Sequence, residues 1–188
     1  MESGELLGVA GPVGCGKSSL LGTILRETVI VEGEVRTRGK IAYVEQAPCI
    51  FSATVKDNIL FGIEEDPERL SEIIEVCELT QDLAELSHGL DTLIGEGGLN
   101  ISGGQKARIS LARACYADAD IYLLDDPLSA VDSKVGARLF SNCLQGFLRS
   151  KAVVLVTHQL AYLSEVSKVL ALESSGSPAF YGPPNVFS

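Results

Sequence analysis

The sequence predicts an α/β fold: a mostly parallel sheet with helices on both faces and an inserted α-helical segment. Three observations carry this expectation. Short, near-continuous apolar runs recur along the chain, the pattern of strands buried on both faces. Stretches with helical spacing separate them, so strands and helices alternate. Between the second and third runs lies a long stretch rich in helix signals and without a strong strand.

The elements follow in order. Leu6–Ala10 is the first apolar run, and residues 17–25 open a helix directly from a glycine-rich loop. Ile41–Val44 is the second run. Residues 67–77 place Leu70, Ile73, Ile74 and Cys77 at helical spacing, within a helix-rich stretch over 64–99. Further helices are predicted over 102–116 and 133–148, and further strands over 121–124, Ala152–Val156 and 169–172. A short hairpin is expected around 174–177. No internal repeat or low-complexity tract interrupts the pattern. The expectation is one domain over 1–188, with a helical subdomain over about 64–115 and a core over about 1–63 and 116–188.

At 188 residues the chain suffices for one hydrophobic core and is short for two. Its formal net charge of -10 and lack of any basic run argue against a nucleic-acid partner, because phosphate backbones are held by clustered Lys and Arg. The cysteines (Cys15, Cys49, Cys77, Cys115 and Cys143) form no CxxC pair and no metal-like spacing. They are expected to be small buried apolar residues, reduced in a cytosolic protein. Residues 1–5 are acidic and polar, unlike a signal peptide, and no apolar run approaches the ~20 residues needed to span a bilayer. The chain is therefore expected to be soluble, meeting a membrane only through a partner or through further sequence. Its first strand lies close to Met1 and the chain stops soon after Tyr181, which reads as a domain cut from something larger or as the product of an incompletely defined gene.

Residues 11–18 fit G-x-x-x-x-G-K-[ST] in full: Gly11, Pro12, Val13, Gly14, Cys15, Gly16, Lys17 and Ser18. The motif follows a strand and opens a helix, which is the context it requires. Glycines allow backbone angles and approaches that a Cβ would block, so the N–H groups can turn inward as an anion nest. The helix start near Lys17 adds its positive dipole end. Lys17 can reach β- and γ-phosphates as a mobile cation, and Ser18 can offer Mg²⁺ a hydroxyl. The motif specifies a nucleoside triphosphate without specifying which family.

The apolar run over 121–124 ends in paired carboxylates, Asp125 and Asp126. Acid pairs at strand ends are often merely solvated. In a chain with a phosphate loop, Asp125 is placed to hold Mg²⁺, directly or through water, and Asp126 points to where an attacking water would be polarised.

Residues 99–108 carry the most specific pattern. Ile101-Ser102-Gly103-Gly104-Gln105 resembles the signature motif of ABC transporter ATP-binding domains, usually written LSGGQ, with Ile101 in place of the leading Leu. Ser102, Gly103, Gly104 and Gln105 at a helix start make a second phosphate-binding device. Two such devices for one nucleotide imply two domains clasping one ATP, and the resemblance implies that they pair head to tail. Gln46 resembles that family's Q-loop glutamine, a Mg²⁺ and water ligand. The stretch Ser129-Ala130-Val131-Asp132 resembles the D-loop, and His158 the switch histidine that contacts the γ-phosphate. His88 matches nothing and reads as a surface residue. The phosphate loop through Ser19, Leu20 and Leu21 is similar to that of the first nucleotide-binding domain of the C subfamily, the multidrug-resistance-associated type. So are residues 41–48, 57–62, 95–100 and 125–132.

The resemblance covers essentially the whole chain and implies a P-loop NTPase-type ABC ATPase domain. It would bind ATP and Mg²⁺ at the cytoplasmic face of a membrane, within a multi-pass transporter. Its implied partners are a second nucleotide-binding domain and the transmembrane domains, which lie outside this chain and select the substrate. Ligands to the nucleotide would be residues 11–19 and Gln46, with Ser102 to Gln105 serving the partner's site. Metal ligands would be Ser18, Gln46 and Asp125, and the catalytic groups Lys17, Asp126 and His158. Two departures qualify the match. Most family members carry Glu where this chain has Asp126, which shortens the reach by about 1.5 Å, one C–C bond. In the C subfamily this substitution implies a first domain that binds ATP and turns it over poorly. The family also has strands upstream of Glu5 with an aromatic residue that stacks on adenine. Two alternatives stand beside the exporter ATPase: a regulatory module that holds ATP without significant turnover, and a soluble ABC protein of DNA repair or translation. The acidic charge and C-subfamily pattern argue against the last.

Overall fold

The computed structural model describes residues 1–186. Strand β1 (Leu6–Ala10) leads into α1 (Lys17–Ile24) and then β2 (Ile41–Val44). Four α-helices follow before the next strand, α2 (Val55–Leu60), α3 (Pro67–Val76), α4 (Thr80–Glu85) and α5 (Gly103–Tyr116), with two 3₁₀ turns, Gly89–Asp91 and Glu96–Gly98, between the last two. After β3 (Ile121–Asp125), α6 (Ser133–Arg138) continues as a π-helical segment, Leu139–Phe147. The chain closes with β4 (Ala152–Val156), α7 (Leu160–Leu163), β5 (Lys168–Leu172) and β6 (Pro178–Gly182).

These strands form one six-stranded sheet in the order β2-β3-β4-β1-β5-β6. The first five are parallel, and β6 pairs antiparallel to β5 through the expected hairpin. Side chains alternate across a strand, so each strand feeds two faces. On one face Leu7, Val9, Leu123, Val154 and Val156 pack with Leu21 of α1. On the other, Tyr122, Leu124, Val153 and Leu155 join a larger core with α5, the π-helical segment and α7. Both faces are therefore covered, which is why the strands read as unbroken apolar runs.

Local chemistry sets the helix boundaries. Thr54 caps α2 and Ser102 caps α5 in reciprocal capping boxes with Asp57 and Gln105. Asp66 accepts from Glu68 and Arg69 N–H ahead of Pro67, which sits where its missing N–H costs nothing. Asp132 caps α6 in the same way. The expectation of five buried cysteines is corrected at Cys49, which is exposed in the loop after β2, whereas Cys15, Cys77, Cys115 and Cys143 are buried. His88 is exposed, as read. Among the described residues no helix is long and apolar enough to cross a membrane.

Candidate functional site

The site forms where parallel strands end. The loop after β1 carries residues 11–16, Gln46 lies two residues beyond β2, Asp125 ends β3, and His158 lies two residues beyond β4. Open α/β sheets place ligands at this edge. Here a cleft of about 260 Å³ is lined by Val13, Gly14, Gly16, Lys17, Ser18, Ser19, Gln46, Asp125, Asp126, Val156 and His158.

The loop is shaped by its glycines for two different reasons. Gly16 has φ 97° and empty space where a Cβ would stand, so it is required for its left-handed backbone as the residue capping α1. At Gly11 space decides, because a Cβ would meet the Leu172 carbonyl oxygen and Cys15 Sγ at 2.7 Å. Lys17 is 7% exposed. Its ammonium folds back over the loop and donates to the Gly11 and Pro12 carbonyls, both at 2.8 Å. Those bonds hold the loop around the start of α1, and the third N–H makes only a long contact to Cys15 Sγ at 3.9 Å, which a ligand can replace. Ser18 Oγ donates to Asp125 Oδ2 at 2.7 Å, so a hydroxyl and a carboxylate from opposite sides of the cleft share one spot. Both are hard oxygen donors of the kind Mg²⁺ accepts.

Asp126 is unusual in backbone and in charge. Its φ is 50°, a left-handed conformation that Asp tolerates better than most residues. Its N–H donates to the Val156 carbonyl, and its own carbonyl accepts from Ser129 N–H and Oγ, so β4 and the following turn hold the strain in place. Burial pushes its carboxyl above the ordinary Asp range and neighbouring Asp125 adds to this, while His158 and Lys17 pull it down. A carboxyl that protonates more easily in the folded state contributes stability at acid pH, and that contribution is lost as pH rises through its folded value. Asn at this position mimics the protonated form and also tolerates the left-handed backbone. Asp126→Asn is expected to melt at or above the wild-type temperature at pH 7, with the difference closing as pH falls towards about 3.9. Calorimetry across that range checks it; a wild type that gains on the variant with rising pH would contradict it.

Ser102, Gly103, Gly104 and Gln105 lie elsewhere. They are not among the residues lining the cleft, and Ser102 and Gly103 are exposed at the start of α5. Ser102 Oγ accepts from Gln105 N–H at 3.1 Å, and Gln105 Oε1 accepts from Ser102 N–H at 2.8 Å. A Cβ on Gly104 would stand 3.1 Å from the Ala130 carbonyl oxygen, so this helix start is pressed against the turn over 129–132. Losing the cap in Ser102→Ala is expected to cost about 1 kcal/mol, read by urea unfolding.

Asp82 of α4 is absent from the sequence reading. It accepts from Gln105 Nε2 and Arg108 Nη2, both at 3.0 Å, tying the start of α5 to a neighbouring helix. Nothing in the sequence pattern marks it, because α4 is short and Asp82 is 23 residues from Gln105.

Comparison with known proteins adds to this geometry. The profile of the family described as ABC transporter matches residues 1–129. The mouse protein (Mus musculus) named ATP-binding cassette sub-family C member 4 is 55% identical over 170 residues, which cover 90% of this chain and 13% of that protein. The Homo sapiens protein of the same name is 54% identical over 173 residues, 92% of this chain and 13% of that protein. ABC transporter C family member 12 of Dictyostelium discoideum is 50% identical over 166 residues, 88% of this chain and 12% of that protein. The chain thus spans about an eighth of the length of these relatives.

Proposed function

This chain belongs to the ABC transporter family, and from that premise we propose that it is a nucleotide-binding domain that couples ATP binding and hydrolysis to export by a C-subfamily transporter. One observation carries the reading: the shared spot of Ser18 Oγ and Asp125 Oδ2, 2.7 Å apart, in a cleft that also holds Lys17, Gln46, Asp126 and His158. In this reading the N–H groups of residues 14–18 cradle the phosphates. Lys17 turns from the loop carbonyls towards β- and γ-phosphate oxygens. Ser18, Asp125 and Gln46 would hold Mg²⁺, which would supply charge neutralisation for the phosphates. His158, which lines the same cleft, would contact the γ-phosphate.

The exposed start of α5 supports a composite site. Ser102 and Gly103 lie exposed at the start of α5 and outside this chain's own cleft, so this helix N-terminus serves a nucleotide held by another domain. The partner is a second nucleotide-binding domain, and the transmembrane domains of the same transporter complete the assembly at the cytoplasmic face of its membrane.

Asp126 favours poor turnover at this chain's own site. Its carboxylate stops one C–C bond short of a glutamate, and general-base catalysis needs heavy atoms at about 2.6–3.2 Å or a bridging water. The short reach also supports a second reading, in which ATP stays bound here and holds the dimer closed. Equilibrium binding of Mg·ATP together with turnover measured in the assembled dimer tests both. Binding with slow turnover supports the first and second readings jointly, turnover equal to that of a Glu-bearing domain removes the weak-site assignment, and no binding removes both.

A further inference from the structure

The fold brings together three cysteines that the sequence keeps far apart. Cys77 caps the C-terminus of α3, Cys115 lies on α5 and Cys143 on the π-helical segment, and all three are 0% exposed. Their Sγ atoms all lie within 4.8 Å of one another, with Cys115 and Cys143 at 3.6 Å. A first-row ion about 2.3 Å from three sulfurs in its own plane would set them about 4.0 Å apart, close to these separations. Beside it runs Arg69, whose Nη2 donates to the Cys115 carbonyl at 3.1 Å and whose Nε is buried without a hydrogen-bond partner. Asp118, 60% exposed, only partly offsets that guanidinium at 3.7 Å. A partly buried cation, its side chain 29% exposed, therefore stands near a group of sulfurs that can become anionic.

We propose that Cys77, Cys115 and Cys143 form a three-coordinate thiolate site for a soft cation, cuprous copper, that staples α3 and α5 to the π-helical segment. A single buried cysteine is an ordinary small apolar residue. Three sulfurs from three separate elements converging on one point are a donor set. Among the described residues no His, Asp, Glu or further Cys joins the group as a fourth ligand. Structural zinc is almost always four-coordinate, whereas soft thiolates select cuprous copper. Loading forms three Cu–S bonds and releases one proton for each thiol that ionises, with no change of oxidation state. The Arg69 charge offsets part of the negative charge so created. Because the sulfurs are buried, the ion enters during folding or through local opening of α3.

The experiment titrates the purified protein anaerobically with cuprous ion against bicinchoninate, in a Cys49→Ser background that removes the exposed thiol. Loading is carried out both on the folded protein and during refolding from urea. The expected result is one copper retained per chain, sulfur-only three-coordinate by X-ray absorption, with a raised melting temperature. Cys77→Ala, Cys115→Ala and Cys143→Ala each weaken retention at least tenfold, as does the conservative Cys143→Ser, while circular dichroism shows the unloaded variants folded. Equal retention by these variants, no retention by either route, or zinc held in preference to copper would overturn the proposal.

Discussion

Lys17→Ala lowers the affinity for Mg·ATP by about ten- to a hundredfold, the range set by losing a hydrogen bond to a charged group at about 1.5–3 kcal/mol. The side chain is placed for this loss to be specific. It is 7% exposed and anchored on the Gly11 and Pro12 carbonyls, so its ammonium waits at the cleft instead of sampling solvent. Turning one N–H towards phosphate costs little rearrangement, because the stem already lies along the loop. Truncation also removes two loop hydrogen bonds, so some stability goes with the affinity. Isothermal titration separates the two when the variant is first shown to be folded. Unchanged affinity in a folded variant would mean that the loop does not grip the phosphates.

Asp126→Glu raises ATP turnover at this site at least tenfold in the dimer with a second nucleotide-binding domain, out of the roughly 10²–10⁴-fold that a well-placed general base supplies. The added methylene restores the reach without changing the charge. It also carries a backbone cost, since Glu tolerates the φ of 50° less well than Asp, and left-handed conformations cost an L-residue about 1–2 kcal/mol. A faster but less stable variant is therefore expected. Single-turnover kinetics with a thermal melt on the same sample checks both halves. If turnover does not rise, carboxylate reach is not what limits this site.

Much of the fold was legible because burial on both faces leaves a plain mark. Leu6–Ala10, Ile41–Val44 and Ala152–Val156 are apolar along their whole length, and each is a strand with the bounds expected. Asp125 extends β3 by one residue, and the long helix predicted over 133–148 divides into α6 and the π-helical segment. The short helices α2, α4 and α7 were not read, since four to six residues give too little periodicity to separate a helix from a loop. Of the site, the phosphate loop, the acids and His158 were readable as motifs, and the fold gathers them with Gln46 around one cleft. What escaped were properties of three-dimensional packing. The left-handed backbone of Asp126, the tie from Asp82 to Gln105 and the cysteine triangle join residues whose spacing carries no signal, Cys115 and Cys143 being 28 positions apart.

The position of the metal ion tests the central claim most directly. Crystals of the protein with ATP and Mn²⁺ in place of Mg²⁺ should show one anomalous peak beside Ser18 Oγ, facing Asp125, with the phosphates on the N–H groups of residues 14–18. Bound nucleotide with the ion elsewhere, or an ion unmoved by Ser18→Ala, would contradict the assignment of this cleft.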